Sequence, residues 1–142
     1  MQFIILEVID KMGSLSLQDF QNQVSDLLLR HRSLLDVLSK NGQSSASLNR
    51  AVVKAVTDCG CIEIHATQQT FEPELNLASS KEVVGTHVSG QLCENCKEFI
   101  STELGRSMFY LSALCNLLDI NMDEVVAEES TKCSTLGLFN MS

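Results

Sequence analysis

Cys93-Glu94-Asn95-Cys96-Lys97-Glu98-Phe99-Ile100-Ser101-Thr102-Glu103-Leu104-Gly105-Arg106-Ser107-Met108-Phe109-Tyr110-Leu111-Ser112-Ala113-Leu114-Cys115-Asn116-Leu117-Leu118 is a run of 26 residues without a proline. Phe99, Leu104, Met108, Leu111, Leu114, Cys115 and Leu118 recur at helical spacing and share one broad apolar face, which predicts a long amphipathic helix. Gly105 sits inside it. A glycine in a helix interior costs roughly 1 kcal/mol against alanine, so its presence predicts close approach by a neighbour.

Downstream, Asp119-Ile120 reads as a short turn. Asn121 then caps a fourth helix, with Glu124 at the capping-box position and Met122, Val125 and Val126 as its apolar residues. The tail Ser134–Ser142 is apolar enough to dock but has no clear pattern. Upstream, Ser16 with Asp19 predicts the cap of a first helix over Leu17–Ser39, carrying a stripe from Leu17, Phe20 and Val24 to Leu35 and Leu38. Asn41-Gly42 is read as its end and Gln43–Ala46 as a polar loop. A second helix is expected from about Ser47, with Leu48, Val52, Ala55 and Val56 on one face and Gly60 as its stop. Ile62-Glu63-Ile64-His65-Ala66 alternates apolar and polar residues and predicts a short extended segment. Residues 67–92 are irregular, with a short helix expected after Ser79-Ser80. Residues 1–11 read either as an extension from an upstream start site ahead of Met12 or as an edge strand or short helix packed on the body; residues 12–142 read as a single helical domain. The fold class is therefore all-α: a small antiparallel bundle with a cysteine-bearing insert between helices two and three.

Composition points the same way. The 142 residues are 44% hydrophobic and 20% charged, which argues against disorder. One proline and seven glycines are too few for a turn-dense β sandwich, and with 5% aromatics and no Trp the core must be aliphatic. The formal charge is −8, so the electrostatic footprint of a nucleic-acid binder is lacking. The acidity is concentrated at the C-terminal end: residues 94–142 hold eight acids against three bases, while residues 1–58 hold six of each. No apolar run reaches membrane length, and Phe3-Ile4-Ile5-Leu6 is too short for a signal sequence. A cytoplasmic protein with no membrane and no nucleic-acid partner is expected, and six cysteines in that setting suggest metal or redox chemistry before disulfides.

Cysteine spacing is the strongest chemical signal. Cys59-Gly60-Cys61 and Cys93-Glu94-Asn95-Cys96 form a C-x-C and a C-x-x-C pair, each at an expected helix boundary where both thiolates can turn to one point. Four converging thiolates suit tetrahedral Zn(II) in a structural site. The alternatives are a dithiol redox pair, an iron–sulfur cluster, or four ordinary buried cysteines. Cys115 is expected in the core, and no role follows for Cys133. Glu94 and Glu98 share a helix face and Glu103 is rotated away from it; such carboxylates suit Mg(II) or form a solvated face. His31, between Arg30 and Arg32, reads as a surface residue. His65 and His87 lie between the cysteine pairs, as replacement ligands, supports for a ligand, or plain loop residues.

The run Glu103-Leu104-Gly105-Arg106-Ser107-Met108-Phe109-Tyr110-Leu111-Ser112-Ala113-Leu114, followed by Leu118-Asp119-Ile120-Asn121-Met122-Asp123-Glu124-Val125, resembles the MazG-like proteins, which are all-α nucleoside triphosphate pyrophosphohydrolases. The resemblance is good over about residues 103–127, looser over helices one and two, and absent for the cysteine-bearing insert. It implies a MazG-like bundle, a homodimer, a nucleotide ligand, and Mg(II) held by carboxylates from two helices to activate water. Glu103 matches the Glu of the family's Glu-x-x-Asp motif, and Asp58 and Glu98 are the remaining candidates for catalysis. Arg106 stands where the motif's Asp belongs, and helix two offers Arg50 and Lys54 where a Glu-Glu-x-x-Glu motif belongs. A guanidinium in place of a carboxylate repels Mg(II), whereas Arg50, Lys54 and Arg106 can hold phosphate directly. The expectation is a divergent member that binds a nucleotide or phosphate ligand, with a structural zinc at Cys59, Cys61, Cys93 and Cys96. The alternatives are an active Mg-dependent pyrophosphohydrolase and a zinc-stabilised regulatory or interaction module without catalysis.

Overall fold

The structure, a computed structural model, describes residues 15–28 and 32–136. It is mostly helical with one small two-stranded sheet. The elements are α1 (Leu17–Leu27), α2 (Leu34–Lys54), a π-helical turn (Ala55–Cys59), β1 (Ile62–Ile64), α3 (Leu77–Val83), β2 (Val88–Gly90), α4 (Glu94–Leu117) and α5 (Met122–Leu136). The described residues divide into two compact units, one formed by those within 15–43 together with 107–136, the other by residues 44–106. The proposed extension at residues 1–11, His31 and the tail beyond Leu136 lie outside the described residues.

In the first unit, α1 begins at Ser16 with a complete capping box. The Asp19 N–H donates to Ser16 Oγ and the Ser16 N–H returns to Asp19 Oδ2, both at 3.1 Å. These bonds favour the carboxylate and hold the Asp19 pKa below its usual value. Val24, Leu28, Val37 and Ala113 form the buried core, with Phe20, Phe109 and Leu114 packed against it. Gln21 is the polar anchor. It is 4% exposed, and its Nε2 donates to Asn116 Oδ1 at 3.1 Å and to the Ile120 carbonyl at 2.8 Å. Its Oε1 accepts the Met122 N–H at 2.8 Å, and Asn116 Nδ2 donates to the Gln21 carbonyl at 2.9 Å. These bonds fix the turn between α4 and α5, where Asp119 adopts φ 55° and Asn121 Oδ1 accepts the Glu124 N–H to cap α5.

Two expectations about the first helices are corrected. The predicted helix over Leu17–Ser39 is two helices, with Leu28 as the C-cap of the first. The Asn41-Gly42 stop and the Gln43–Ala46 loop do not exist, because α2 runs unbroken from Leu34 to Lys54. Val37 and Ser44 are buried seven residues apart along it, and that packing outweighs the ~1 kcal/mol propensity cost of one glycine. The short helix predicted after Ser79-Ser80 starts earlier, at Leu77, because Asn76 Oδ1 accepts the Ser79 N–H at 2.9 Å. The third helix matches its predicted limits to within a residue. Among the described residues the neighbour expected at Gly105 is missing: a Cβ there would meet nothing within 4 Å.

The second unit carries the cysteines. The Gly60 N–H reaches back five residues to the Ala55 carbonyl at 3.0 Å, closing the π turn, and Gly60 at φ 72° ends the helix as expected. β1 and β2 then pair antiparallel, Ile62 opposite Gly90 and Ile64 opposite Val88. The His65 N–H donates to the His87 carbonyl at 2.8 Å and extends the ladder by one step. Gly90 has φ 86°, and a Cβ there would lie 2.6 Å from the Cys61 carbonyl oxygen. Only glycine allows this approach, and the approach sets the path of the chain into Cys93.

Candidate metal centre and adjoining cleft

Each cysteine pair sits where a helix ends or begins. Cys59 is the last residue of the π turn, and Cys61 follows the left-handed Gly60. Cys93 immediately precedes α4, with its carbonyl accepting the Lys97 N–H at 2.9 Å, and Cys96 lies in the first turn. The β1–β2 pairing brings the two pairs together although 31 residues separate them in sequence. The four sulfurs all lie within 4.8 Å of one another, close enough to hold a metal ion. Cys59 Sγ and Cys93 Sγ are 3.8 Å apart. A tetrahedral ion with metal–sulfur bonds of about 2.3 Å places its sulfurs about 3.8 Å from each other, so the spacing fits a single ion. All six cysteines of the chain are free thiols.

The local electrostatics prepare one ligand. The Cys96 N–H donates to Cys93 Sγ at 3.4 Å, and this bond, with the Cys96 thiol beside it, lowers the Cys93 pKa to about 7. The Cys96 thiol is pushed up to about 12, chiefly by the neighbouring Cys93 sulfur. A second thiolate in the same place is unfavourable without a cation, and a divalent ion removes that obstacle.

Beside the cysteines lies a cleft of about 470 Å³, lined on the α2 side by Ser47, Arg50, Ala51, Lys54 and Asp58, and on the α4 side by Asn95, Phe99 and Glu103. Cys59 and Cys96 also line it, so the sulfur cluster and the cleft share a wall. Four of the six residues singled out for phosphate binding or catalysis therefore line this cleft: Arg50, Lys54, Asp58 and Glu103. Glu98, exposed on α4, and Arg106 are not among the lining residues. Arg106 instead donates to both oxygens of Glu103, at 2.9 and 3.1 Å. Lys54 pairs with Asp58 at 3.9 Å, both largely exposed. His65 Nε2 lies 3.0 Å from Glu63 Oε2 at an exposed position, and neither His65 nor His87 belongs to the sulfur cluster.

Phe99 was expected on the apolar helix face and is 63% exposed, its ring forming part of the cleft. Asn95, within the C-x-x-C pair, and Ser47 are lining residues that spacing does not flag. No helix among the described residues is long and apolar enough to cross a membrane. No protein-family model matches the chain, and neither a curated protein nor a solved structure matches it.

Proposed function

We propose that this chain is a divergent MazG-like protein in which Cys59, Cys61, Cys93 and Cys96 hold a structural zinc ion and the adjoining cleft takes a nucleotide or other phosphate ligand without efficient hydrolysis. The observation that carries the metal half is the sulfur spacing: 3.8 Å between Cys59 and Cys93, with all four sulfurs inside 4.8 Å. A four-iron cube sits inside its ligands and spreads their sulfurs to roughly 6 Å, so this spacing favours one ion over a cluster.

The ligand half rests on Arg50 and Lys54, which offer the cleft a guanidinium and an ammonium beside the exposed ring of Phe99. A zinc ion with four thiolates carries a net charge of −2, so the two bases also offset the charge of the wall that they face. The same geometry weighs against a magnesium hydrolase. Arg106 occupies both oxygens of Glu103, Lys54 stands 3.9 Å from Asp58, and Glu98 is not among the residues lining the cleft, so two of the three candidate carboxylates for Mg(II) already face a base and the third lies apart from the lining.

Thermal denaturation of the zinc-loaded protein with a panel of nucleotides and pyrophosphate tests this reading. A ligand of the native state raises the apparent Tm, and the Arg50→Ala, Lys54→Ala double variant removes that rise. No shift with any phosphate compound contradicts the ligand half and leaves a zinc-stabilised interaction module. Mg-dependent release of pyrophosphate that disappears on Glu103→Gln establishes the hydrolase instead.

A further inference from the structure

The four clustered cysteines all lie within residues 44–106, and they are not equally accessible: Cys59 is exposed, whereas Cys61, Cys93 and Cys96 are half-buried. Cys59 ends the π turn and lines the cleft, so a small solute there reaches it without any unfolding. Across the hairpin the Cys93 sulfur stands 3.8 Å from that of Cys59. Cys61 is turned elsewhere, its thiol donating to the Ala55 carbonyl at 3.7 Å. A disulfide bond is about 2.0 Å long, so Cys59 and Cys93 need to close by only about 1.8 Å, within reach of side-chain rotation at the end of a turn. An accessible sulfur beside a second one from another segment is the arrangement on which oxidants act, and a metal ion holds its sulfur ligands as thiolates.

We propose that Cys59 is the site at which hydrogen peroxide enters this cluster, and that Cys93 then closes on it as a disulfide, exchanging a metal clamp for a covalent one. In the first step the Cys59 thiolate attacks the peroxide O–O bond. That bond breaks, sulfur keeps one oxygen as a sulfenic acid, and the other leaves as hydroxide. In the second step the Cys93 thiolate attacks the Cys59 sulfur. The S–S bond forms, the S–O bond breaks, and a second hydroxide leaves. The two thiolates have together lost two electrons and the peroxide has gained them. Cys61 and Cys96 then remain as two ligands where a closed zinc site takes four, and they no longer retain the ion. The new bond joins the end of the π turn to the start of α4, the same two segments that the metal would hold. The loss of zinc rests on the metal site proposed above; the pairing of Cys59 with Cys93 rests on the sulfur geometry alone.

Peroxide treatment of the full zinc-loaded chain carrying Cys115→Ala and Cys133→Ser tests it, since these changes remove the two thiols outside the cluster. Metal content is measured beforehand, zinc release is followed with a chromophoric chelator, and disulfides are mapped by mass spectrometry without reduction. The expected result is release of about one zinc per chain in step with a peptide bridged from Cys59 to Cys93, with far-UV circular dichroism retained. Dithiothreitol and added zinc restore the starting state. The wild-type chain, treated alongside, gives the same bridge. Zinc release with Cys59 still reduced, a bridge from Cys93 to Cys96 instead, or a loaded chain that keeps its zinc and its thiols under excess peroxide overturns the proposal. A chain that holds no zinc beforehand contradicts the metal site instead, and the peptide map of that metal-free chain still decides whether Cys59 pairs with Cys93.

Discussion

Replacing Gly90 by alanine sets the hairpin against the four-cysteine cluster that it supports. Gly90 holds φ 86°, and an added Cβ would stand 2.6 Å from the Cys61 carbonyl oxygen, which belongs to backbone and has no flexible end to swing away. The positive φ alone costs an L-residue about 1–2 kcal/mol. Relieving the contact moves β2 from β1 at the Ile62–Gly90 pair, at about 1 kcal/mol for each ladder bond lost. The sum is about 2–4 kcal/mol, concentrated between Cys61 and Cys93. Metal binding and folding of this segment are one equilibrium, so the same energy comes off zinc affinity, a fall of roughly 30- to 1,000-fold. Competition against a chromophoric chelator measures it directly. Circular dichroism with excess zinc shows whether the helices remain. Unchanged zinc affinity in Gly90→Ala would refute the claim that this close approach positions the two cysteine pairs.

Gly42→Ala is the counterpart, since the site is helical and a Cβ there meets nothing within 4 Å. The change is expected to stabilise the protein by about 0.5–1 kcal/mol and raise Tm by roughly 3 °C; a loss of stability would mean that the helix breaks there after all. Gln21→Leu leaves the Ile120 carbonyl and the Met122 N–H without their partner. Urea denaturation is expected to show a loss of about 2–4 kcal/mol, and a change under about 0.5 kcal/mol would contradict the anchoring role. The Cys93 pKa of about 7 fixes the pH dependence of metal uptake. Its thiolate is present above that pH and protonated below it, so calorimetry in buffers of different ionisation enthalpy should find about one more proton released per zinc at pH 6 than at pH 8, with affinity falling as pH falls.

What the sequence shows of the fold divides along local and long-range lines. The α4 boundaries, the Gly60 stop and the Ser16 cap are written in residues a few positions apart, and the structure places them where the pattern does. The break after α1 was obscured because Leu34, Leu35 and Leu38 continue the apolar period of Leu17–Leu28 across it. A usable sign was present: Ser33 and Asp36 repeat the Ser16 and Asp19 spacing, and α2 starts at Leu34. Gly42 after Asn41 reads as a stop, but this glycine stays helical within α2, whereas Gly60 turns left-handed at φ 72° and ends its helix. The convergence of the thiols was legible because a C-x-C and a C-x-x-C at helix ends leave few other arrangements. One wall of the cleft was legible, since Arg50 and Lys54 lie four apart on the helix expected from Ser47, but the wall facing it, with Asn95, Phe99 and Glu103, comes from residues some 40 to 50 positions away and has no local signal. Gln21 carries no local signal, because its partners are 95–101 residues away.

X-ray absorption at the zinc edge, on protein purified under reducing, metal-replete conditions, tests the account most directly. One zinc per chain, surrounded by four sulfurs at about 2.3 Å, is the predicted result. Less than half an equivalent of any metal, or a first shell dominated by oxygen and nitrogen, would contradict it.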